Sequence, residues 1–282
     1  MLLGVHVSKE GKISETLKAA HELRCNTMQM FSRNPQQWNQ EALDSKDTVE
    51  FVRKKAAYGI NPLFIHVSYL INLASPFAKL YHASINAYIE DIEVAQQLNA
   101  DYIVTHMGSH KDTSEEEGIE RLIKALNTII TKTKRSAVKI LLENTSGAGS
   151  WLGYNFKHQQ KIIQGIKDKN RVGLCLDTAH AYSAGYDIAT EAGLKGVLVQ
   201  IDKLVGLKLI KLIHLNDTKE KLGLHIDRHY HIGKGNIGIE GMRRIINHPK
   251  LRDIPFILET PKGSQDDDLM NLKMVRKLRQ GG

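Results

Sequence analysis

The sequence has few cysteines and no long apolar run. Cys25 and Cys175 are the only two cysteines, and two residues that lie in no CxxC motif cannot build a disulfide framework. The N-terminus lacks the pattern of a signal peptide. The most apolar later stretch, residues 204–213, is interrupted by Lys208 and Lys211 and is therefore not expected to span a bilayer. These absences predict a cytoplasmic protein with reduced thiols. Cys175 is expected to pack within an apolar core.

A phosphate-binding glycine cluster after an early strand is also absent, which argues against a doubly wound nucleotide-binding sheet. Hydrophobic residues make up 41% of the 282 residues and charged residues 25%, values typical of a globular protein. The formal net charge is +8. This excess favours a polyanionic partner such as nucleic acid, although charge alone fits equally well a basic enzyme whose lysines only solvate its helices.

Eight short aliphatic or β-branched runs alternate with amphipathic segments along the whole chain. The runs lie near residues 2–7, 27–31, 62–67, 102–107, 138–143, 172–177, 209–215 and 255–260. Segments of helical pattern between or after them include residues 13–24, 76–98, 114–134 and 266–279. Eight units of roughly 35 residues each suit a strand, a helix and their loops. The sequence therefore predicts an α/β protein with a (β/α)8 TIM barrel, formed by residues 1–282 as one domain.

Seven of the eight apolar runs end in a histidine or a carboxylate. A single such residue is more often a cap or a hydrogen-bonded core residue than a ligand. Because the carboxyl ends of barrel strands converge on one face, seven together predict a ring of ionisable groups whose crowding a metal cluster would relieve. The residues are His6, His66, His106, Glu143, Asp177, His214 and Glu259.

Two loops extend this set of candidate ligands. His180 follows Asp177 by three residues, and a later glycine-rich loop carries Asp227 and His229 with one residue between them. With His6 placed beside the site, the candidate ligands are His66, His106, Glu143, Asp177, His180, His214, Asp227, His229 and Glu259. Imidazole and carboxylate ligands without thiolates suit Zn²⁺ or Mn²⁺ in a water-accessible catalytic site. Nine ligands suit about three ions, whose charge a phosphodiester would balance.

Five segments resemble the signatures of the endonuclease IV family of apurinic/apyrimidinic endonucleases. They are LLENTSG (141–147), LCLDTAHAYSAGYD (174–187), HLNDTK (214–219), DRHYHIGKGNIG (227–238) and LETP (258–261). This family is a (β/α)8 barrel with three zinc ions that cuts the DNA backbone 5′ to abasic sites. The resemblance implies one zinc on His66, His106 and Glu143. It implies a second zinc on Glu143, Asp177, His214 and Glu259, and a third on His180, Asp227 and His229, with Mn²⁺ as an alternative at one site.

The resemblance also implies contacts to double-stranded DNA from two loops. Tyr69 and Leu70 match the pair that the family inserts into the duplex at the lesion. Gln36 stands where the family carries a basic probe residue, and the neighbouring Arg33 is a candidate to replace it. A monomer is the expected state for a site that must embrace a duplex.

The expected reaction is hydrolysis of the phosphodiester by a metal-activated water that Glu143 orients, with Glu259 as the second catalytic carboxylate. It would leave a 3′-hydroxyl and a 5′-deoxyribose phosphate, and the family also removes 3′-blocking groups. One alternative is a metal-dependent sugar isomerase or epimerase, which would need only the ligands at the strand ends and gives no role to His180, Asp227 and His229. The other alternative is a DNA-binding barrel that has lost turnover.

Overall fold

A computed structural model describes residues 1–8, 11–264 and 266–280. Eight parallel strands close into a barrel in chain order, with the first strand paired to the last. The strands are β1 (Leu3–Val7), β2 (Met28–Phe31), β3 (Leu63–His66), β4 (Tyr102–His106), β5 (Lys139–Glu143), β6 (Val172–Asp177), β7 (Ile210–His214) and β8 (Phe256–Leu258). The eight apolar runs thus become the eight strands, and the predicted TIM barrel is confirmed.

Helices surround the barrel and cover its outer face. They are α1 (Ile13–Glu22), α2 (Ser45–Ala57), α3 (Ala78–Gln97), α4 (Glu115–Lys132), α5 (Phe156–Gly165), α6 (Thr178–Ser183), α7 (Glu191–Leu204), α8 (Gly238–Asn247) and α9 (Asp267–Gln280). Their apolar stripes pack on the outward side chains of the strands in one continuous core, the arrangement that buries an amphipathic helix against a sheet. Among the described residues, no helix has both the length and the apolar character needed to cross a membrane.

The inside of the barrel holds a separate apolar layer. Six side chains with at most 2% exposure fill it: Phe64, Val104, Leu141, Cys175, Leu212 and Ile257. The predicted core position of Cys175 is confirmed, and both cysteines are unpaired and buried. Burial raises the pKa of the Cys175 thiol to about 12, so the thiol stays protonated. This layer closes the barrel from below and leaves the carboxyl ends of the strands as the open face.

The register of the strands places candidate ligands in neighbouring pairs. His106 pairs with Glu143, and Asp177 pairs with His214. Because paired residues of parallel strands lie side by side, the two members of each pair leave neighbouring strands next to each other, while Glu143 pairs with Cys175, two residues before Asp177.

Candidate metal centre

The structure brings all nine candidate ligands together at the carboxyl-end rim of the barrel. His66, His106, Glu143, Asp177 and His214 are the last residues of β3 to β7, and Glu259 follows β8 directly. The other three come from the first turn of α6 and from the long loop after β7: His180, Asp227 and His229. Their ligand atoms fall into three overlapping groups.

The first group surrounds one oxygen of Glu143. The Nε2 atoms of His66 and His106 lie 3.2 and 3.1 Å from Glu143 Oε2. Glu143 is fully buried, and the side chain of His106 is 23% exposed. These three ligand atoms lie close enough to share one metal ion, which would be reached from the open face past His106.

The second group surrounds the other oxygen of Glu143. His214 Nδ1 lies 2.9 Å from Glu143 Oε1 and 3.2 Å from Glu259 Oε2. Asp177 Oδ2 lies 3.9 Å from the same nitrogen. Glu143 therefore contacts both groups, one through each carboxylate oxygen, as a bridging ligand requires.

The third group lies at the outer edge of the centre. His180 Nε2 is 3.1 Å from Asp227 Oδ1 and 3.3 Å from His229 Nε2. Asp177 Oδ2 is 3.6 Å from His229 Nε2, so Asp177 reaches both the second and the third group. Asp227 is half exposed, which leaves this group the most open to solvent.

The hydrogen bonds of the histidine rings show that this set of donors fits metal ions. The Nδ1 atoms of His66, His180 and His229 donate to the backbone carbonyls of Val67, Asn144 and Glu259 at 2.8, 2.9 and 3.0 Å. When neutral, each ring therefore presents the lone pair of its Nε2 to the centre, which is how proteins orient metal-binding histidines. In the neutral rings, two such lone pairs would face each other between His180 and His229 at 3.3 Å. A cation between them removes this repulsion.

The electrostatics of the centre favour positive charge. Burial alone would raise the pKa of Glu143, but the charges of His214 and His106 outweigh it and hold this pKa well below its ordinary value. Burial likewise opposes charging of His180, but Asp177 and Asp227 raise its pKa well above the ordinary value. Burial opposes charging of His214 too, but its neighbours Cys175, Glu259 and Glu143 nevertheless raise its pKa well above the ordinary value. Without metal, the raised pKa values therefore favour protons on His180 and His214, at nitrogen atoms that could bind metal cations instead.

Zinc binding to the metal-free protein at pH 7 is expected to release protons from the ligand histidines. The raised pKa values keep His180 and His214 protonated at this pH, and a histidine must lose its proton to bind metal. For the same reason, zinc affinity should fall as the pH is lowered. Calorimetric titrations in two buffers of different ionisation enthalpy measure the release. Equal heats in both buffers would contradict it.

A buried carboxylate anchors the loop that carries Asp227 and His229. Asp217 accepts hydrogen bonds from four backbone N–H groups at 2.8–3.2 Å, those of Thr218, Gly235, Ile237 and Gly238. The two ends of the loop are thereby fixed to each other. Gly235 approaches so closely that a Cβ there would lie 2.3 Å from Thr218 O and 2.4 Å from Asp217 Oδ1. Only glycine fits this position without moving the loop.

Gly235→Ala is expected to weaken the third group without unfolding the barrel. The added methyl group displaces the loop, and with it Asp227 and His229, so one bound metal ion should be held at least about tenfold more weakly. Metal content after limited chelation measures this. Gly196→Ala is the matched control, because a Cβ at the exposed Gly196 in α7 meets no atom within 4 Å. Equal metal retention by the two variants would argue against the anchoring role.

Comparison with known proteins identifies the family. A family model described as "Xylose isomerase-like TIM barrel" matches residues 17–278. A protein of Halothermothrix orenii named "Probable endonuclease 4" is 44% identical over 281 residues, which cover 98% of this chain and all of that protein. The chain belongs to the endonuclease IV family. A second member of the endonuclease IV family, "Probable endonuclease 4" of Chloroflexus aurantiacus, is 39% identical over 279 residues, 99% of this chain and 98% of that one.

Solved structures agree with the assignment to the endonuclease IV family. The crystal structure of endonuclease IV from Thermus thermophilus superposes with a TM-score of 0.89 at 32% identity, covering all of both chains. A D-tagatose 3-epimerase-like protein superposes with a TM-score of 0.72 at 20% identity, over 100% of this chain and 97% of that one. The second likeness shows a shared barrel fold alone.

The residues predicted to contact DNA lie on two loops at the same rim. Tyr69 is 62% exposed and stands beside His66, with ring centroids 6.3 Å apart. Leu70 is half buried, and Gln36 is exposed. Ser68 Oγ donates to the carbonyl of Pro35 at 2.7 Å. The two loops are thus joined, and they present Tyr69 and Gln36 on one side of the open face.

The position of Arg33 does not support the predicted DNA contact by this residue. Its side chain is 1% exposed, and its guanidinium donates to Asp91, which is completely buried on α3, at 2.8 Å. It also donates to the carbonyl oxygens of Trp38 and Ala87. A guanidinium with all these partners inside the protein holds the loop of Gln36 against α3 and does not reach the rim.

Three buried amides that sequence reasoning missed orient the ligands. Asn216 Nδ2 donates to Asp177 Oδ2 at 2.7 Å, and Asn144 Nδ2 donates to the backbone carbonyl of Asp177 at 3.0 Å. The third amide, Gln29, contacts His214 and Glu259. Asn144 and Asn216 lie within two residues of a ligand and inside two of the segments that resemble the family, LLENTSG (141–147) and HLNDTK (214–219), and these two signals could have found them.

Proposed function

We propose that the protein hydrolyses the DNA phosphodiester 5′ to abasic sites, leaving a 3′-hydroxyl and a 5′-deoxyribose phosphate. Membership of the endonuclease IV family makes it a deoxyribonuclease with a role in DNA repair. The zinc dependence, the bond that is cut and the abasic duplex as substrate are the proposal. The same chemistry would remove blocking groups from 3′ ends. The observation that carries the proposal is the convergence of nine imidazole and carboxylate ligands in three groups that Glu143 and Asp177 connect.

About three Zn²⁺ ions per chain fit these groups, one site also being suited to Mn²⁺. His66, His106 and Glu143 would hold the first ion. Glu143, Asp177, His214 and Glu259 would hold the second, and His180, Asp227 and His229 the third. When bound, zinc supplies water activation at neutral pH and neutralises the charge of the phosphodiester.

The protein residues supply position and charge for this reaction. Glu143 is fully buried between the first two groups, where its carboxylate can accept a hydrogen bond from the attacking water and orient it. Glu259 lies at the wall of the open face with 17% of its side chain exposed, next to where a phosphate would enter. The neutral tautomers of His66, His180 and His229 are fixed by backbone carbonyls, so these rings need no reorganisation during the reaction.

A small pocket beside the ligands suits a sugar without a base. Its volume is about 210 Å³, and Tyr69, Trp151, His66 and His106 contribute to its walls. Trp151 meets His106 edge-on, with ring centroids 5.8 Å apart. It adjoins a second pocket of about 360 Å³ that has His229 and Glu259 in its wall. We assign the smaller pocket to the extruded abasic deoxyribose, whose extrusion costs less than that of a stacked and paired nucleotide.

The surface around the pocket suits a DNA backbone. Four exposed cations lie in the loops of the open face: Lys219, Arg228, Lys234 and Lys262. Together with the net charge of +8, they would attract the phosphates and make binding sensitive to salt. Tyr69, Leu70 and Gln36 would enter the duplex at the lesion. A monomer in the cytoplasm would have this face free to contact a duplex.

An incision assay on a duplex with one tetrahydrofuran site tests the proposal. Because this analogue has no aldehyde, it cannot undergo β-elimination, so a cut reports hydrolysis. The expected cut lies 5′ to the analogue and leaves an end that a DNA polymerase extends. An intact duplex with the same sequence is the control substrate. No incision by the zinc-loaded protein would refute the proposal, and an end that cannot be extended would refute the proposed bond.

A further inference from the structure

Gln29 is a neutral amide in the middle of the candidate metal centre. It is the second residue of β2, its side chain has no exposure to solvent, and it pairs in register with His6 of β1. Its amide contacts two candidate ligands, His214 and Glu259. None of the five sequence segments that identify the family contains it.

The chemistry of the partners fixes the orientation of this amide. Gln29 Nε2 lies 2.6 Å from Glu259 Oε1. A carboxylate oxygen can only accept a hydrogen bond, so the amide nitrogen must face Glu259. The amide oxygen then faces His214, with Oε1 2.8 Å from His214 Nε2. The opposite orientation would set two acceptors against each other at Glu259.

This orientation determines the tautomer of His214. Because Gln29 Oε1 is an acceptor, His214 Nε2 must carry a hydrogen, and the lone pair of the neutral ring lies on Nδ1. Nδ1 is the atom that faces Glu143 Oε1 at 2.9 Å and Glu259 Oε2 at 3.2 Å. His214 is thus oriented through Nδ1, whereas His66, His180 and His229 present Nε2.

The same amide also holds the carboxylate of Glu259. One oxygen of Glu259 accepts from Gln29, which leaves the other directed at His214 Nδ1. Gln29 Nε2 also lies 2.9 Å from His6 Nδ1. Gln29 therefore contacts three residues of the centre. This single side chain links His214, the last residue of β7, to Glu259, which follows β8.

We propose that Gln29 is a positioning residue of the metal centre, which sets the tautomer of His214 and the direction of Glu259 and thereby the affinity for the ion that these two share. The proposal rests on the metal centre proposed above. An amide is required because it accepts on one side and donates on the other. A glutamate would lose both donor hydrogens and repel Glu259, and a methionine would fill the space without any hydrogen bond.

The first test needs no variant. The protein is labelled with ¹⁵N in histidine and reconstituted with ¹¹³Cd²⁺, whose coupling identifies the ring nitrogen that binds. Coupling through Nδ1 of His214 is expected, with coupling through Nε2 for His66, His180 and His229. Coupling through Nε2 of His214 would overturn the proposal.

The second test measures zinc affinity by competition with a chelator. Gln29→Met should weaken one ion about 10- to 100-fold, the usual effect of removing a hydrogen bond to a metal ligand, and leave the other ions unchanged. Met30→Leu is the control, because Met30 is the next residue of β2 and packs on the outer side with the helices. If Gln29→Met does not fold, Gln29→Asn, whose amide is one methylene short, takes its place with the same expected direction.

The outcomes separate this proposal from the one on which it rests. A wild-type protein that binds neither zinc nor cadmium would overturn both. A wild-type protein that binds zinc, with a Gln29 variant that binds all ions equally tightly, would overturn the role of Gln29 alone. Loss of every ion together in a folded Gln29 variant would also contradict it, because the predicted effect is confined to the ion of His214 and Glu259.

Discussion

Glu143→Gln is expected to reduce the rate of incision at an abasic site by on the order of 10³-fold or more. The two oxygens of Glu143 contact His66 and His106 on one side and His214 on the other. An amide keeps the shape of the side chain but removes the negative charge and gives one of these positions a donor instead of an acceptor. Two groups of ligands are then disturbed at once. Single-turnover incision with the zinc-supplemented protein measures the loss.

Glu93→Gln is the matched control for this substitution, since Glu93 is an exposed residue of α3. It should incise at the wild-type rate. Metal analysis of the Glu143 variant should show fewer bound ions than in the wild type. If the Glu143→Gln protein retains its metal and cuts within about tenfold of the wild-type rate, this result would contradict the catalytic role of Glu143.

Glu259→Gln is expected to lower incision by about 10²–10³-fold and to leave duplex binding nearly intact. Glu259 lies against His214 and His6, whereas the exposed lysines and arginine that would bind phosphates lie farther out on the loops. The variant should therefore bind an abasic duplex with the same steep dependence on salt as the wild type. Fluorescence anisotropy at several salt concentrations measures binding, and a gel assay measures incision.

This variant also distinguishes an enzyme from a binding protein without turnover. If the protein is an enzyme, Glu259→Gln should lose incision and keep its binding to the duplex. A wild-type protein that binds abasic DNA but never cuts it, and whose behaviour does not change in the variant, would favour the binding protein. Loss of binding together with incision would place Glu259 in the DNA contact itself and contradict its assignment to the metal centre.

The fold could be predicted because each strand is buried on both sides. Strands of a parallel barrel appear in sequence as short continuous apolar runs, and each of the eight runs contains one observed strand. Helix boundaries followed from local signals in the same way. Ser114 caps α4, and Glu117 completes the capping box, in which a short polar side chain stands three residues before a glutamate.

The ligands could be predicted because their chemistry conflicts with their surroundings. A histidine or carboxylate at the end of a buried apolar run has a high desolvation cost, so its repetition along the chain is informative. The expected position of His6 beside the site is confirmed, with Nδ1 3.3 Å from Glu259 Oε1. Asp227 and His229 could be predicted from their alternate positions in a glycine-rich loop, and the resemblance to the family assigned them, with His180, to a third ion.

The remaining features depend on contacts between distant parts of the chain. Arg33 has its partner Asp91 fifty-eight residues away, and nothing in the neighbouring sequence distinguishes a buried guanidinium from an exposed one. Gln29 and Glu259 are 230 residues apart. A single glutamine between two methionines shows only that one polar group enters the barrel. The contacts of this amide depend on which residues the closed barrel brings together. The sequence alone does not show those long-range pairings.

Counting metal ions and measuring incision on the same protein sample tests whether the nine ligands hold the ions that cut DNA. We expect about three zinc ions per chain, loss of incision at a tetrahydrofuran site as a chelator removes them, and recovery when zinc is restored. A chelated protein with less than about one ion per chain that still cuts at full rate would contradict this expectation.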